Sequence, residues 1–425
     1  MKAKPRHLSI IILLLICALT GRSQNINSPY SYFGLGDLYN YRTAFNMSMG
    51  GIGLALKSPL YINYANPASY NGLDTTSFVF EGGLYGDFIN SKTDIQTASS
   101  QNIQLGYLLM GFPITKWWKS SLGIRPFSEM GYLIVDEKQQ ENIGRVSYNY
   151  EGDGGLNQAY WGNSVTFFKS LSLGVNASYL FGSLYHDQVI DFPDSVNIQS
   201  FRLRHKLYVH DFLFNFGLQY THKFKNDLSL TVGLVYNYTT NLNATRDLLA
   251  ETFYPKFDGS DDIQDTVQFS LDEEGTVVYP QSYGAGIALH KGNTWLVSGE
   301  YSTQDWNEYK SYGLSDSLTK SRNISVGGYY QPYREGITKY WERIQYRFGF
   351  RYTQSYLQLR GNQISEFGVT FGVGLPVRGS FSTFNLAVEI GQRGTIDEGL
   401  IKENFVRFTL GVAMFERWFI KRKFQ

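Results

Sequence analysis

Ile344-Gln345-Tyr346-Arg347-Phe348-Gly349-Phe350-Arg351-Tyr352 alternates large apolar side chains with charged, polar or absent ones. The alternation returns at Phe367, Val369, Phe371, Val373 and Leu375, then at Phe384, Leu386, Val388 and Ile390, and last at Val406, Phe408, Leu410, Val412 and Met414. Successive side chains of a strand point to opposite faces, so each run has one oily face and one that is charged or tiny. A soluble sandwich hides an oily face, but its other face meets water and has no use for Gly349, Gly368, Gly372, Gly374 and Gly411. A barrel that crosses a membrane accounts for both faces, with lipid outside and a polar lumen inside. Phe348, Phe371, Leu386 and Phe408 are accordingly read as lipid-facing.

Outward from this stretch, the pattern divides the chain into fourteen strands. They fall at about 76–90, 101–114, 119–135, 155–168, 170–185, 203–223, 227–245, 277–290, 294–306, 319–331, 342–356, 363–375, 381–392 and 403–415. The connections 116–119, 169–170, 225–227 and 291–293 are tight, whereas 136–154, 186–202, 246–276 and 307–318 are long and polar. Outer-membrane barrels have short periplasmic turns and longer extracellular loops. With the first strand running outward, every tight turn falls on the periplasmic side, and one miscounted strand would reverse that. Arg145–Tyr150 has strand character inside its loop, and 332–341 is long for a periplasmic turn. The expected fold is all-β: a 14-stranded antiparallel transmembrane barrel over 76–415, followed by a periplasmic tail at 416–425.

The N-terminus gives an address. Lys2, Lys4 and Arg6 precede an apolar run from Ile10 to Leu19, followed by Thr20, Gly21 and Ser23. This is the layout of a secretory signal peptide, 1–23, whose core is too short to span a bilayer as a helix. Cys17 is the only cysteine and lies within that core, so the mature chain carries neither disulfide nor thiolate chemistry. The whole chain has 38 basic and 37 acidic residues; losing Lys2, Lys4, Arg6 and Arg22 leaves 34 against 37, a formal charge of −3. No nucleic-acid partner is implied. The 32 Tyr and 30 Phe suit the aromatic girdles of a barrel.

Residues 24–75 do not alternate. They contain Ser28-Pro29-Tyr30, Met49-Gly50-Gly51-Ile52-Gly53 and Asn63-Tyr64-Ala65-Asn66-Pro67-Ala68. Gly and Pro at this density make an irregular segment, and the lumen is the place for it. The Asn66-Pro67-Ala68 triplet before the first strand resembles the hatch motif of the FadL/TodX family of hydrophobic-compound transporters. Met49-Gly50-Gly51-Ile52-Gly53 fits that family's hatch too. Gly154-Gly155-Leu156-Asn157-Gln158, Gly327-Gly328-Tyr329-Tyr330-Gln331-Pro332, Gly372-Val373-Gly374-Leu375-Pro376 and Trp418–Lys423 resemble its branch in type IX-secreting bacteria, which includes PorV-like proteins. The resemblance implies a fourteen-stranded barrel with a lumenal hatch and passage of hydrophobic ligands through a kinked strand that opens sideways into the bilayer. Gly123, Pro126 and Gly131 in the third strand are candidates for such a kink, because Pro cannot donate to a ladder; a Pro tolerated beside a bulge is the bland alternative.

Candidate chemistry is sparse. The mature histidines His186, His205, His210, His222 and His290 lie in no serine-hydrolase motif, so no catalytic residue is assigned. Gly50-Gly51-Ile52-Gly53 lacks the strand and the Lys-Ser/Thr ending of a phosphate loop. Asp258, Asp261, Asp262 and Asp265 offer hard oxygen ligands but not the spacing of an EF-hand, and read as a solvated loop. No cofactor or metal is expected. When the last strands are folded about their connections, Arg351, Glu366, Glu389 and Arg407 come together as a charged row on the inner wall. Charges in such an enclosure need partners, which favours a structural network over a substrate path. The expected function is a non-enzymatic, FadL-like channel of the cell outer membrane for passive uptake of a hydrophobic small molecule, with membrane lipid around it. The alternative is a PorV-like accessory barrel that binds other outer-membrane or secretion proteins, with Trp306, Tyr309 and Tyr312 in segment 301–312 as its contact surface.

Overall fold

The computed structural model describes residues 28–39, 42–195, 197–256, 258, 260–332 and 339–417. The expected signal peptide, Cys17 and most of the expected tail lie outside them. Fourteen antiparallel strands form the wall: β1 Ser77–Lys92, β2 Thr97–Pro113, β3 Trp118–Gln140, β4 Gly144–Phe167, β5 Leu171–Asp191, β6 Ser200–Lys223, β7 (Leu228–Asn237 continued by Thr240–Pro255), β8 (Asp261–Tyr279 continued by Ser282–Lys291), β9 Trp295–Asp305, β10 Lys320–Tyr330, β11 Gln345–Leu359, β12 Asn362–Pro376, β13 Thr383–Arg393 and β14 Lys402–Arg417. β14 returns to β1, from Arg417 opposite Ser77 to Lys402 opposite Lys92, and closes the barrel. Closure removes the sheet edges that hydrocarbon cannot solvate.

Strand number and order are those read from the sequence; strand ends differ. Of the loops expected at 136–154, 186–202 and 246–276, most is strand. β3 pairs with β4 up to Gln140–Gly144, β5 with β6 up to Ile190–Phe201, and upper β7 with upper β8 from Thr240–Tyr279 to Pro255–Asp261. These extensions stand above the membrane, where both faces meet water or other protein, so the apolar alternation that marks a lipid-facing strand is absent. The wall is therefore much taller over β3–β8 than over β9–β14.

The lipid face follows the alternation. Phe348, Phe371 and Phe408 are exposed, and Leu386 is partly covered. Ile344 breaks the pattern: it precedes β11, after the 3-10 turn Tyr340–Arg343, and is buried. Phe408 packs edge-on against Phe88, with ring centroids 5.9 Å apart. Phe408→Arg should cost about 2–4 kcal/mol near the midplane. Urea unfolding in lipid checks it, and wild-type stability of the variant would reverse the assignment of that face.

The outer end of the lumen is filled by an apolar core that includes Leu35, Met130, Leu184, Val209, Leu242, Trp306, Tyr309 and Tyr356. Trp306 and Tyr309 are 1 % exposed, which corrects their reading as a contact surface. The segment turns inward, and Trp306 packs on Tyr356 with centroids 4.6 Å apart. Burial of large aromatic faces here outweighs their display to water.

Candidate functional site

The N-terminal segment threads the lumen and touches strands all round the wall. Among the described residues its only α-helical turn is Ala44–Met47; 3-10 turns lie at Pro29–Tyr32 and Pro67–Gly72. Asn66 caps the last of these: its Oδ1 accepts from Ala68 N at 3.0 Å. Its Nδ2 donates to Leu54 O at 2.7 Å and to Leu218 O and Leu234 O on the wall at 3.3 and 3.4 Å. Pro67 begins the turn, where its missing N–H is not needed. Asn66, Pro67 and Ala68 are all buried. Across the lumen, Gly50 N donates to Thr370 Oγ1 at 2.7 Å. Gly50 has φ +72°, and a Cβ there would strike the backbone of Phe350. Only glycine gives both the left-handed turn and the close approach to β11.

Buried side chains of the wall hold this segment. Glu300 of β9 accepts from Gly53 N at 2.7 Å and Leu54 N at 2.8 Å, and pairs with Arg42 at 2.7 Å. Gln219 of β6 donates to Leu54 O and Leu56 O at 3.0 and 3.1 Å. Arg347 of β11 lies over the rings of Phe45 and Tyr61, 4.7 and 5.4 Å from their centroids, and donates to Tyr61 Oη at 3.2 Å. Glu81 of β1 accepts from Ile62 N. None of these anchors was singled out in the sequence. One signal existed: Glu300 is a lone charge among inward Ser298 and Ser302.

The four charged residues of the expected row meet, though not as a row. Arg351 Nη2 lies 2.6 Å from Glu366 Oε1 and 2.7 Å from Glu389 Oε1. Arg407 Nη1 lies 2.6 Å from the same Glu366 oxygen, and Arg407 Nε is 3.2 Å from Asp87. Arg393 is the cross-strand partner of Glu366 and pairs with Asp37 of the N-terminal segment at 2.6 Å. Asp37 and Asp87 were missed because hairpin folding of the last four strands brings in neither β1 nor the lumenal segment, and Arg393 because it lies one residue beyond the expected end of its strand at 392. The cluster sets three guanidinium groups among four carboxylates, with Glu366 shared between Arg351 and Arg407.

A further feature lies opposite. The β2–β3 ladder runs only from Pro113–Lys119 to Leu108–Ile124. Above it, β2 stays with β1 and β3 stays with β4, so the wall splits. Pro126 stands just above the last rung, where the split begins, and the β3–β4 register shifts between Pro126 and Ser128. The freed edge of β3 is taken up by the N-terminal segment: Asp37 and Leu38 pair with Glu129 and Ser128, and Tyr39 N donates to Phe127 O at 2.9 Å. Across the split, Asn102 Nδ2 and Gln104 Nε2 each donate to the Glu129 carboxylate at 3.0 Å, and Tyr39 Oη also reaches it. A cavity of about 360 Å³ joins the two features, touching Tyr39, Phe127 and Glu129 at the split and Arg351, Glu366 and Arg407 at the network. A second cavity, of about 680 Å³, lies at the short-turn end of the barrel and includes Phe45, Lys57, Tyr61, His290 and Phe381 in its lining. The two share no lining residue, since residues 44–62 lie between them. Burial, with Lys119 and Lys223 nearby, lowers the Lys57 amine to about 8.

His186 and His205 stack in the upper wall with centroids 5.7 Å apart, and His186 Nδ1 is 2.6 Å from Tyr132 Oη. His210 and His222 are exposed. Among the described residues no group of three His, Cys, Asp or Glu is placed to hold a metal ion.

A family model described as BamG matches residues 5–425. The chain belongs to the BamG family. No curated protein matches it. This BamG-family barrel is similar to the toluene transporter TbuX of Ralstonia pickettii, with a TM-score of 0.60 and 14 % identity over 88 % of this chain and 98 % of that one. It is also similar to the toluene transporter TodX of Pseudomonas putida, at 0.58 and 17 % over 91 % and 100 %. A Pseudomonas aeruginosa FadL homologue aligns at 0.59 and 10 % over 90 % and 99 %. At these identities the likeness speaks for the barrel fold of the BamG-family chain, which it shares with FadL-type channels.

Proposed function

We propose that this BamG-family chain is a non-enzymatic, passive channel of the outer membrane for a hydrophobic small molecule. The observation that carries this reading is the split between β2 and β3, reached from within by the 360 Å³ cavity. A broken ladder in hydrocarbon leaves backbone groups without partners, and a barrel keeps one only where protein covers it. Here residues 37–39 cover it and the cavity stands behind it, which is the arrangement a sideways exit needs. Tyr39, Phe127, Leu213, Tyr279, Trp306 and Tyr356 give the cavity apolar surface, and its size suits a small ring compound. Two of the structural neighbours are toluene transporters, and that supports a ligand of the same class. The expected hatch, residues 24–75, then separates this chamber from the periplasmic cavity. No energy source is needed for movement down a gradient.

The test is a reversible staple across the split. Gln104→Cys with Glu129→Cys introduces the only thiols beyond Cys17. Oxidation should lower uptake of labelled toluene into cells by tenfold or more, and reduction should restore it. Equal uptake in the oxidised and reduced states, with the disulfide verified by mass spectrometry, would remove the split from the path.

A further inference from the structure

We propose that the free edge of upper β8, Asp261–Leu271, is a docking strand for an extended, basic segment of another protein. Upper β8 pairs with upper β7 on one side only. Its other edge first meets a partner at Val277 and Val278, opposite Ser311 and Lys310, and at Thr276, whose carbonyl accepts from Tyr312 N. Among the described residues nothing bonds to the outer edge of the backbone from Asp261 to Leu271. This is the place where the tall side of the wall ends, because β9 stops at Asp305 and does not follow β8 upward. The barrel closes its membrane-spanning edges and leaves this one open in water.

The side chains are those of a recognition strand. Ile263, Val267, Phe269 and Leu271 are between 47 and 63 % exposed, at alternate positions along the strand. Large apolar groups at this exposure, beside unpaired N–H and C=O groups, are what an added strand covers: the backbone supplies the ladder and the alternate side chains supply selectivity. Charge chooses the partner. Residues 257–290 contain seven acids and no Lys or Arg. Asp261, Asp262 and Glu273 are paired with Arg202, Lys256 and Arg246. Asp265, Asp272 and Glu274 have no ion pair among the described residues and are exposed. A second copy of this strand would bring like charges together. The register shifts with β7 between Ile263 and Asp265, Thr266 and Gln268, and Ser270 and Glu273 also twist the edge. Bulges and charge are the ordinary defence against self-pairing. A strand carrying Lys or Arg gains the charge term that a copy of this strand lacks, and covers the same apolar positions.

The experiment places a photo-crosslinking benzoyl-phenylalanine at Gln264 or Gln268 of the full chain in its native membrane. The expected result is a heterotypic adduct whose mapped contact is an extended segment with Lys or Arg at alternate positions. The charge-reversed variant D265K/D272K/E274K should lower its yield at least tenfold. Because reversal of three charges can impair assembly, heat-modified gel migration verifies the barrel, and D265N/D272N/E274N gives a second reading with a smaller but clear loss. A homotypic adduct, no adduct, a contact mapped to a helical or acidic segment, or a yield unchanged by both variants would overturn the proposal.

Discussion

Glu366→Ala is expected to destabilise the barrel by about 3–5 kcal/mol, the usual cost of leaving buried charge without its partner. One oxygen of Glu366 receives both Arg351 and Arg407 at 2.6 Å, and Arg393 stands opposite it in the β12–β13 ladder. Glu389, Asp87 and Asp37 hold the other sides of these three guanidinium groups, so the loss should fall at the lower end of that range. Arg351→Ala with Glu366→Ala should cost less than the sum of the two single changes, with a coupling of about 0.5–3 kcal/mol. Urea unfolding in lipid gives all four corners of the cycle. Strict additivity would mean that the two residues do not act together. A coupling that persists while toluene uptake is unchanged assigns the cluster to the wall; one that vanishes when toluene is bound assigns it to the path.

Strand number, order and lipid face were legible because a bilayer imposes one rule on each spanning residue. Phe371 must be oily, and Gly372 beside it must be small, since Ser48 and the Leu386 carbonyl occupy the space where a Cβ would go. The rule lapses above the membrane. Asp265 and Val267 then sit in one strand without an apolar face, and the stretch reads as a loop. Asn66, Pro67 and Ala68 could be picked out as a turn, since the sequence carries the cap and the proline together. Their wall partners Leu218 and Leu234 could not, because those contacts use backbone carbonyls that any residue offers. The split was half legible. Pro126 advertises a missing donor, but the end of the ladder at Ile124 depends on Asp37 and Leu38 taking the freed edge, and nothing local announces that pairing.

That pairing makes the hold on residues 28–76 decisive, and Glu300→Ala is the change expected to loosen it most. Glu300 is buried and gathers three donors: the Arg42 guanidinium and the amides of Gly53 and Leu54. The alanine variant leaves a partly buried cation without its carboxylate and two buried N–H groups unpaired. A loss of about 3–5 kcal/mol follows, which at about 1.4 kcal/mol per tenfold multiplies the undocked population by roughly two to three and a half orders of magnitude. Planar-bilayer recordings should then show frequent ion-conducting openings where the parent barrel is nearly silent. Arg42→Ala should conduct less, because Glu300 keeps both amide donors. Glu300→Gln should fall between, since its amide oxygen still accepts from Gly53 and Leu54 while the ion pair is gone. The order Ala, Gln, parent is the signature of anchoring by this side chain. Equal conductance in all three, with folding verified, would show that the segment is held without Glu300 and that its grip on the lumen is spread over Gln219, Arg347 and Glu81 instead.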